Sequence, residues 1–339
     1  MTDTNLNISV LGCGSWGGTV AQMLAETGYP VTVWHKFPDE LAEMQATRRH
    51  PFISDLTFDS KIEFTGDLGT AVTGFDYIIV AVPSHIVRAI MGEIRSLVDP
   101  EAVIVNLAKG VENDSLLTMS AVIRDAGGIE ARQVVTVYGP SHAEEVARRV
   151  PTTLVAAGSD LAVAAQVQRI FSNPRMRVYT NDDILGVELG GSLKNVIAIA
   201  AGICDGIGYG DNTKAALLTR GITEMTRLGT KMGASPETFA GLSGIGDLIV
   251  TCLSRHSRNR HVGEEIGRGR SLDEILSKMK MVAEGVKTAT SVHQLREKYA
   301  VEMPISEAIY KVLFAGLNPE VAVRNLMTRD LKHESDFIV

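Results

Sequence analysis

Residues 10–19 read VLGCGSWGGT and contain the pattern Gly-x-Gly-x-x-Gly at Gly12, Gly14 and Gly17. In a chain with 32 glycines such a match carries weight only between a strand and a helix. Both neighbours are present. Ile8, Val10 and Leu11 form a short apolar strand that runs straight into Gly12. From Ser15 to Thr27 the chain carries Ala21, Met23, Leu24 and Ala25 without proline, and Gly28 stands where such a helix ends. A second apolar run, Val31-Thr-Val-Trp34, follows at the distance of a βαβ unit, so two parallel strands with a crossover helix are predicted. The glycines then have separate tasks. Gly12 permits the tight turn, Gly14 lets backbone approach a pyrophosphate, and Gly17 lets helix pack on strand, while the helix start presents N–H groups to phosphate.

The end of the second strand bears on cofactor choice. Asp or Glu there holds the ribose hydroxyls of NAD, whereas a basic residue accommodates the 2′-phosphate of NADP. The residues present are His35 and Lys36, which point to acceptance of NADP. Tyr77–Val82 and Ala102–Leu107 are continuous apolar runs of the kind found in parallel strands buried on both faces. Val134–Tyr138 and Thr153–Ala157 continue the sheet, making the first part of the chain a doubly wound α/β domain.

Size and composition agree with this. A chain of 339 residues has room for two domains, and 45% hydrophobic with 22% charged residues is ordinary for a globular protein. A net charge of −7 argues against a nucleic-acid surface and leaves room for a local basic pocket around a phosphorylated small molecule. Cys13, Cys204 and Cys252 are far apart, so neither a disulfide framework nor a zinc site is expected, and no His, Asp or Glu cluster has metal-ligand spacing. The start MTDTNLNIS lacks the features of a signal peptide, and no apolar stretch approaches the ~20 residues of a membrane span. A soluble cytoplasmic protein without membrane insertion is expected.

From about Asp183 helical patterns take over. Leu218, Ile222, Met225, Gly229 and Met232 share one helical face, as do Ala289, Val292, Leu295 and Tyr299. Pro304 opens a further helix, and Asn318-Pro319 caps and starts the last. Within this all-α region ELGGSLKNVIAIAAG, residues 188–202, is helical in pattern yet holds Gly190, Gly191 and Gly202. Each costs ~1 kcal/mol against alanine, so something approaches that helix closely. Lys194 stands one turn from Gly191. In GLSGIGDLIVTC, residues 241–252, glycines surround Asp247. In SRHSRNRHVGEEIG, residues 254–267, Ser257 is a plausible cap with Arg258, Asn259 and Arg260 in the first turn. Cations at a helix amino end oppose the macrodipole, a conflict that a bound phosphate removes. Lys109 in NLAKG and the GPSH segment at 139–142 follow predicted strands, where α/β proteins bind ligands.

Together these motifs resemble the bacterial NAD(P)-dependent glycerol-3-phosphate dehydrogenases. The likeness extends through GCGSWG, VPSH (82–85), NLAKG, YGPSHAEE, GGSLKN, SGIGDL, SRNR, VAEG (282–285) and EMPI (302–305), almost the whole chain. The resemblance implies a Rossmann-like doubly wound, mostly parallel sheet over residues 1–183, an all-α substrate-binding and catalytic domain over 184–334, and a tail at 335–339. It implies reversible reduction of dihydroxyacetone phosphate to sn-glycerol 3-phosphate for phospholipid biosynthesis, by a cytoplasmic homodimer. Lys194 takes the family's general acid/base position, with Lys109 and Asp247 as its catalytic companions. Gly139, Ser141, Ser257, Arg258 and Asn259 fall on substrate contacts, together with those three. Gly12, Gly14, Ser15, Trp16, Gly17, His35, Lys36, Lys109, Ala143, Arg258, Val282 and Glu284 fall on the cofactor set. Cys13 stands where alanine is frequent, and Lys36 where arginine or histidine is common; it keeps the charge without the guanidinium fork. The amine of Lys194 and the guanidinium of Arg258 are expected in one cleft. Two alternatives stay open at this stage: an enzyme of the same architecture acting on a carboxylate-bearing hydroxy acid, and a non-catalytic dinucleotide sensor.

Overall fold

The computed structural model describes residues 6–279 and 281–334. Two compact units emerge. The first comprises 1–108 and 119–184, the second 109–118 and 185–339. The expected first domain of 1–183 is therefore interrupted: Lys109–Thr118 packs with the second unit. Ser291 Oγ of the second unit donates to the carbonyl of Val111 at 2.9 Å, one of the bonds that hold this excursion there. The proposed tail at 335–339 lies outside the described residues.

The first unit is built on one eight-stranded sheet: β1 (Ile8–Leu11), β2 (Val31–Trp34), β3 (Ile62–Thr65), β4 (Tyr77–Val80), β5 (Val103–Asn106), β6 (Val134–Tyr138), β7 (Thr152–Gly158) and β8 (Met176–Asn181). Their spatial order is β3-β2-β1-β4-β5-β6-β7-β8. Every pairing is parallel except β6 with β7. The doubly wound, mostly parallel expectation is thus met. β1, β4, β5 and β6 are buried along their whole length, which is why each reads as an uninterrupted apolar run. β3 and β8 do not read that way and were not expected. Each lies at a sheet edge, where polar side chains alternate with apolar ones: Glu63 beside Phe64, Arg177 beside Val178. The strand order reverses between β1 and β4, the crevice where open α/β sheets take their ligands. The glycine turn after β1 sits at that point.

In the second unit the described regular elements are helices. The helix Ile184–Ile207 is its centre, with nineteen consecutive residues from Gly186 to Cys204 buried. Its most apolar stretch has a mean hydropathy of 1.4, long and apolar enough to cross a membrane, yet 89% of that stretch is buried within the structure. Contrary to the expectation from sequence, one stretch of that length and apolarity is present, and it is a core helix. Glu188 and Lys194 break up the run when it is read linearly, but Leu189, Val196 and Ile203 belong to one buried cluster with Met225, Val262 and Ala289 of other helices.

The glycines explain how this cover comes so near. A Cβ on Gly202 would lie 1.9 Å from the Arg260 carbonyl oxygen, and one on Gly263 would lie 2.0 Å from that of Ile199. The helices Ile184–Ile207 and Arg258–Gly267 therefore meet main chain to main chain. Gly190 likewise faces the Ser243 carbonyl at 2.6 Å. What approaches the glycine-bearing helix is protein backbone. Elsewhere a buried carboxylate replaces a missing cap: Glu224 accepts from the N–H groups of Ile305 and Ser306, at 2.6 and 3.0 Å, at the start of the helix Pro304–Phe314.

Because backbone cannot step aside as a rotamer can, Gly202→Ala is expected to lower unfolding free energy by about 3 kcal/mol, the upper end of ordinary overpacking costs. Urea denaturation of the variant beside the parent protein measures it.

Candidate functional site

Two residue clusters carry chemistry, one in each unit. In the first unit, Gly12 adopts φ +106° and donates its N–H to the Trp34 carbonyl at 3.0 Å, turning the chain at the end of β1. A Cβ at Gly17 would fall 2.0 Å from the Gly12 carbonyl oxygen, so helix and turn pack as closely as a missing side chain allows. Gly14 is different. It is exposed, and nothing lies within 4 Å of where its Cβ would be. It is also the N-cap of the helix Ser15–Glu26, offers no capping side chain, and is followed by no acidic residue in the first turn. A helix start with open space before it and no anion of its own fits a dinucleotide pyrophosphate. Ser15 and Trp16 are half-buried at this opening.

At the end of β2, His35 is buried and its Nε2 lies 2.9 Å from the Glu40 carboxylate. Lys36 is exposed. Of the two basic residues expected to meet a 2′-phosphate, Lys36 is thus the one presented to solvent, while the imidazole is engaged by a carboxylate. Gly139 at the end of β6 takes φ +142°, with Leu154 of β7 3.1 Å from its notional Cβ. Ser141 donates to the Gly139 carbonyl at 3.1 Å, and Ala143 opens the short helix Ala143–Ala147. Cys13 is fully buried, which pushes its thiol up to about 12 and makes it a filler of the core.

In the second unit the sequence brings Lys194, Asp247 and Lys109 together. Lys194 points from the buried helix to Asp247 Oδ1 at 2.5 Å and Thr251 Oγ1 at 2.6 Å. Lys109 donates to the other oxygen, Oδ2, at 2.6 Å. Asp247 stands at the first residue of the helix Asp247–Leu253, just after the π-helical turn Leu242–Gly246. Gly244 in that turn is needed because a Cβ would meet the Phe239 carbonyl at 2.1 Å. Thr251, one turn further on, donates to the Asp247 carbonyl at 2.7 Å and so presents its lone pairs to Lys194.

The electrostatics follow from burial and partners. Burial favours the neutral amine and, with repulsion from Lys109, outweighs the attraction of Asp247, so the Lys194 ammonium is pushed down to about 8. Burial alone would raise the Asp247 carboxyl; the two ammonium groups together hold it below its usual range. An ionised Asp247 beside two cations leaves a net positive, nearly dry corner. Two of the three donors of protonated Lys194 are taken by Asp247 and Thr251, and the remaining one is available to a substrate oxygen.

Next to this corner two helix starts converge. Ser257 caps the helix Arg258–Gly267, accepting from Arg260 N at 3.2 Å. Asn259 donates to Asn195 Oδ1 and accepts from Gly285 N, both at 2.9 Å. Gly285 is the second residue of the helix Glu284–Tyr299, preceded by exposed Val282 and by Glu284 at its first position. Asn195 is the neighbour of Lys194, so the start of the helix bearing Arg258 is tied to the turn that bears Lys194. Arg258 is exposed there, while Arg260 is drawn away to Asp205 at 2.5 Å. Thr251 and Asn195 were not singled out from sequence. The first was hidden in an apolar run one turn after Asp247, the second directly beside Lys194.

Comparison with known proteins accounts for this combination. Residues 7–164 match the model of the NAD-dependent glycerol-3-phosphate dehydrogenase N-terminus, and residues 183–324 that of its C-terminus. A glycerol-3-phosphate dehydrogenase [NAD(P)+] of Salinibacter ruber is 52% identical over 97% of this chain and 96% of its own length. One from Chlorobium limicola is 50% identical over 97% and 99%. The crystal structure of glycerol-3-phosphate dehydrogenase from Coxiella burnetii superposes with a TM-score of 0.91 at 36% identity, covering 96% of this chain and 99% of that one. With the glycine turn, the buried lysine and both family models in register along its length, the chain belongs to the NAD-dependent glycerol-3-phosphate dehydrogenase family.

Proposed function

We propose that this protein catalyses the reversible, NAD(P)-linked reduction of dihydroxyacetone phosphate to sn-glycerol 3-phosphate, with Lys194 as general acid/base. The observation that carries this reading is the Lys194 ammonium, buried, held by Asp247 and Thr251, and brought to about 8. Bound nicotinamide cofactor supplies or accepts the hydride at the central carbon of the substrate. In reduction Lys194 gives a proton to the oxygen on that carbon; in oxidation its neutral amine takes the proton back. Asp247 orients the amine and balances its charge. Lys109 holds the other carboxylate oxygen and adds positive potential for an anionic substrate.

The substrate phosphate is assigned to the helix start at Ser257, Arg258 and Asn259, where N–H groups and a guanidinium act together. Gly139 and Ser141 complete the substrate set. The dinucleotide is assigned to Gly12, Gly14, Ser15, Trp16 and Gly17, with His35, Lys36, Lys109, Ala143, Arg258, Val282 and Glu284. Lys36 is the residue offered to a 2′-phosphate, so both NAD and NADP are taken as cofactors. The same reading includes a cytoplasmic homodimer feeding phospholipid synthesis, and Cys13, Cys204 and Cys252, all buried and unpaired, suit a reducing compartment. A phosphorylated substrate is favoured over a carboxylate hydroxy acid by the Arg258 helix start, and an enzyme over a sensor by the lysine corner.

Four measurements test this. Gly14→Val should lower the thermal midpoint only modestly, since the added side chain enters open space and only the preference for glycine at the helix cap is lost, and should abolish cofactor binding in a fluorescence titration. Lys194→Met should lower kcat by about 10²–10⁴-fold. In the parent enzyme the reduction rate should fall as pH rises through about 8, where Lys194 loses its proton, and the oxidation rate should rise through the same value. Arg258→Ala should raise KM for dihydroxyacetone phosphate about ten- to hundredfold, the worth of a charge-assisted hydrogen bond, with a much smaller effect on cofactor KM.

A further inference from the structure

Outside the three motif glycines, a fourth glycine and a histidine meet at the same turn. Gly18 follows Gly17, and a Cβ there would lie 2.6 Å from Cδ2 of His50. Glycine is what admits the ring. His50 is buried in the segment after the helix Pro38–Thr47, next to the bridge between Arg49 and Thr57. Its Nδ1 accepts from the backbone N–H groups of Phe52 and Ile53, each at 3.1 Å. A ring nitrogen that accepts carries no proton, so this hydrogen-bond network assigns the proton of the neutral imidazole to Nε2. Burial, which lowers the pKa of His50, favours that neutral form. Nε2 lies 3.3 Å from the carbonyl oxygen of Gly14, which also accepts the Gly18 N–H at 2.9 Å.

We propose that His50 is a positioning residue for the dinucleotide, its Nε2–H holding the Gly14 carbonyl inward and thereby the Ser15 N–H outward toward the cofactor phosphate. The peptide joining Gly14 to Ser15 is planar, with its C=O and N–H on opposite edges. Fixing the carbonyl on the helix side therefore fixes where the N–H aims. A helix-start N–H binds an anion best when its direction is set beforehand, because no ordering is then required on binding. The loop from Phe52 to Ile53 keeps the imidazole in the required tautomer, and Gly18 leaves room for the ring. This inference rests on the assignment of the pyrophosphate to the Gly12–Gly17 turn.

Two near-isosteric variants separate the roles of the two ring nitrogens. In His50→Asn the side-chain oxygen reaches the place of Nδ1, keeping the acceptor for Phe52 and Ile53 and losing the donor to Gly14. In His50→Gln the amide nitrogen reaches the place of Nε2, keeping the donor and losing the acceptor. NADPH and NADH binding by fluorescence titration, steady-state kinetics and thermal midpoint are measured for both. His50→Asn is expected to raise cofactor Kd and KM about three- to tenfold, the worth of one ordinary hydrogen bond, with kcat at saturation and thermal midpoint near those of the parent. His50→Gln is expected to bind cofactor normally with a lowered midpoint. Normal binding by both variants, weakened binding by Gln alone, or equal weakening of both in step with their midpoints would each overturn the proposal. Gly14→Val run in parallel tells the two failures apart: if it loses cofactor while His50→Asn binds normally, only the role of His50 falls, and if it binds cofactor normally, the site assignment falls with it.

Discussion

A single carboxylate, that of Asp247, accepts from two lysine ammonium groups through its two oxygens. Buried, it would be costly alone, and so would either lysine near it. Together they form an arrangement in which each ion is the reason the others can stay. Removing Asp247 would leave two like charges facing one another in a nearly dry corner. The surrounding fold can be seen as what brings these three groups to one point: an excursion from the end of β5 delivers Lys109, the buried helix delivers Lys194, and a π-helical turn delivers Asp247.

For the acid/base role proposed for Lys194, a buried helix suits the lysine better than a loop. On an exposed loop its amine would titrate near ~10.4 and remain protonated at working pH. Burial lowers it and Asp247 limits how far it falls, so both protonation states are reachable near neutrality. At the glycine turn proposed to hold the pyrophosphate in the first unit, the main chain rather than charged side chains is what is presented. At Gly14 the useful features are the absence of a side chain and the directions of main-chain N–H groups, with His50 acting on the carbonyl behind them.

Much of this was legible in the sequence, for reasons that differ by element. The central strands β1, β4, β5 and β6 are buried on both faces, so their apolar runs are unbroken and easily seen. β3 and β8 mix polar with apolar residues at the edges and passed unnoticed. Glycine spacing identified the turn after β1, because the geometry of a strand–turn–helix demands glycine at fixed offsets. Gly190 and Gly202 correctly signalled a close approach, though not that its source was other backbone. Lys194 and Asp247 stood out as charges set among glycines. Thr251, Asn195 and His50 did not, since their importance lies in partners 57, 64 and 36 residues away in the chain, a pairing that folding alone creates. The same holds for Lys109–Thr118, which no compositional shift separates from the strand before it.

The contact between the helices Ile184–Ile207 and Arg258–Gly267, made through Gly202 and Gly263 against carbonyl oxygens, acts as a ruler. Side chains between two helices can rotate and let them slide by an ångström; main chain pressed on main chain cannot. The spacing between the helix that bears Lys194 and the helix that bears Arg258 is therefore set by the backbone, while Asp247 and Thr251 place the amine itself. Under the proposed assignment of the substrate phosphate to that helix start and of acid/base work to Lys194, this fixed spacing would act as a selector of substrate length.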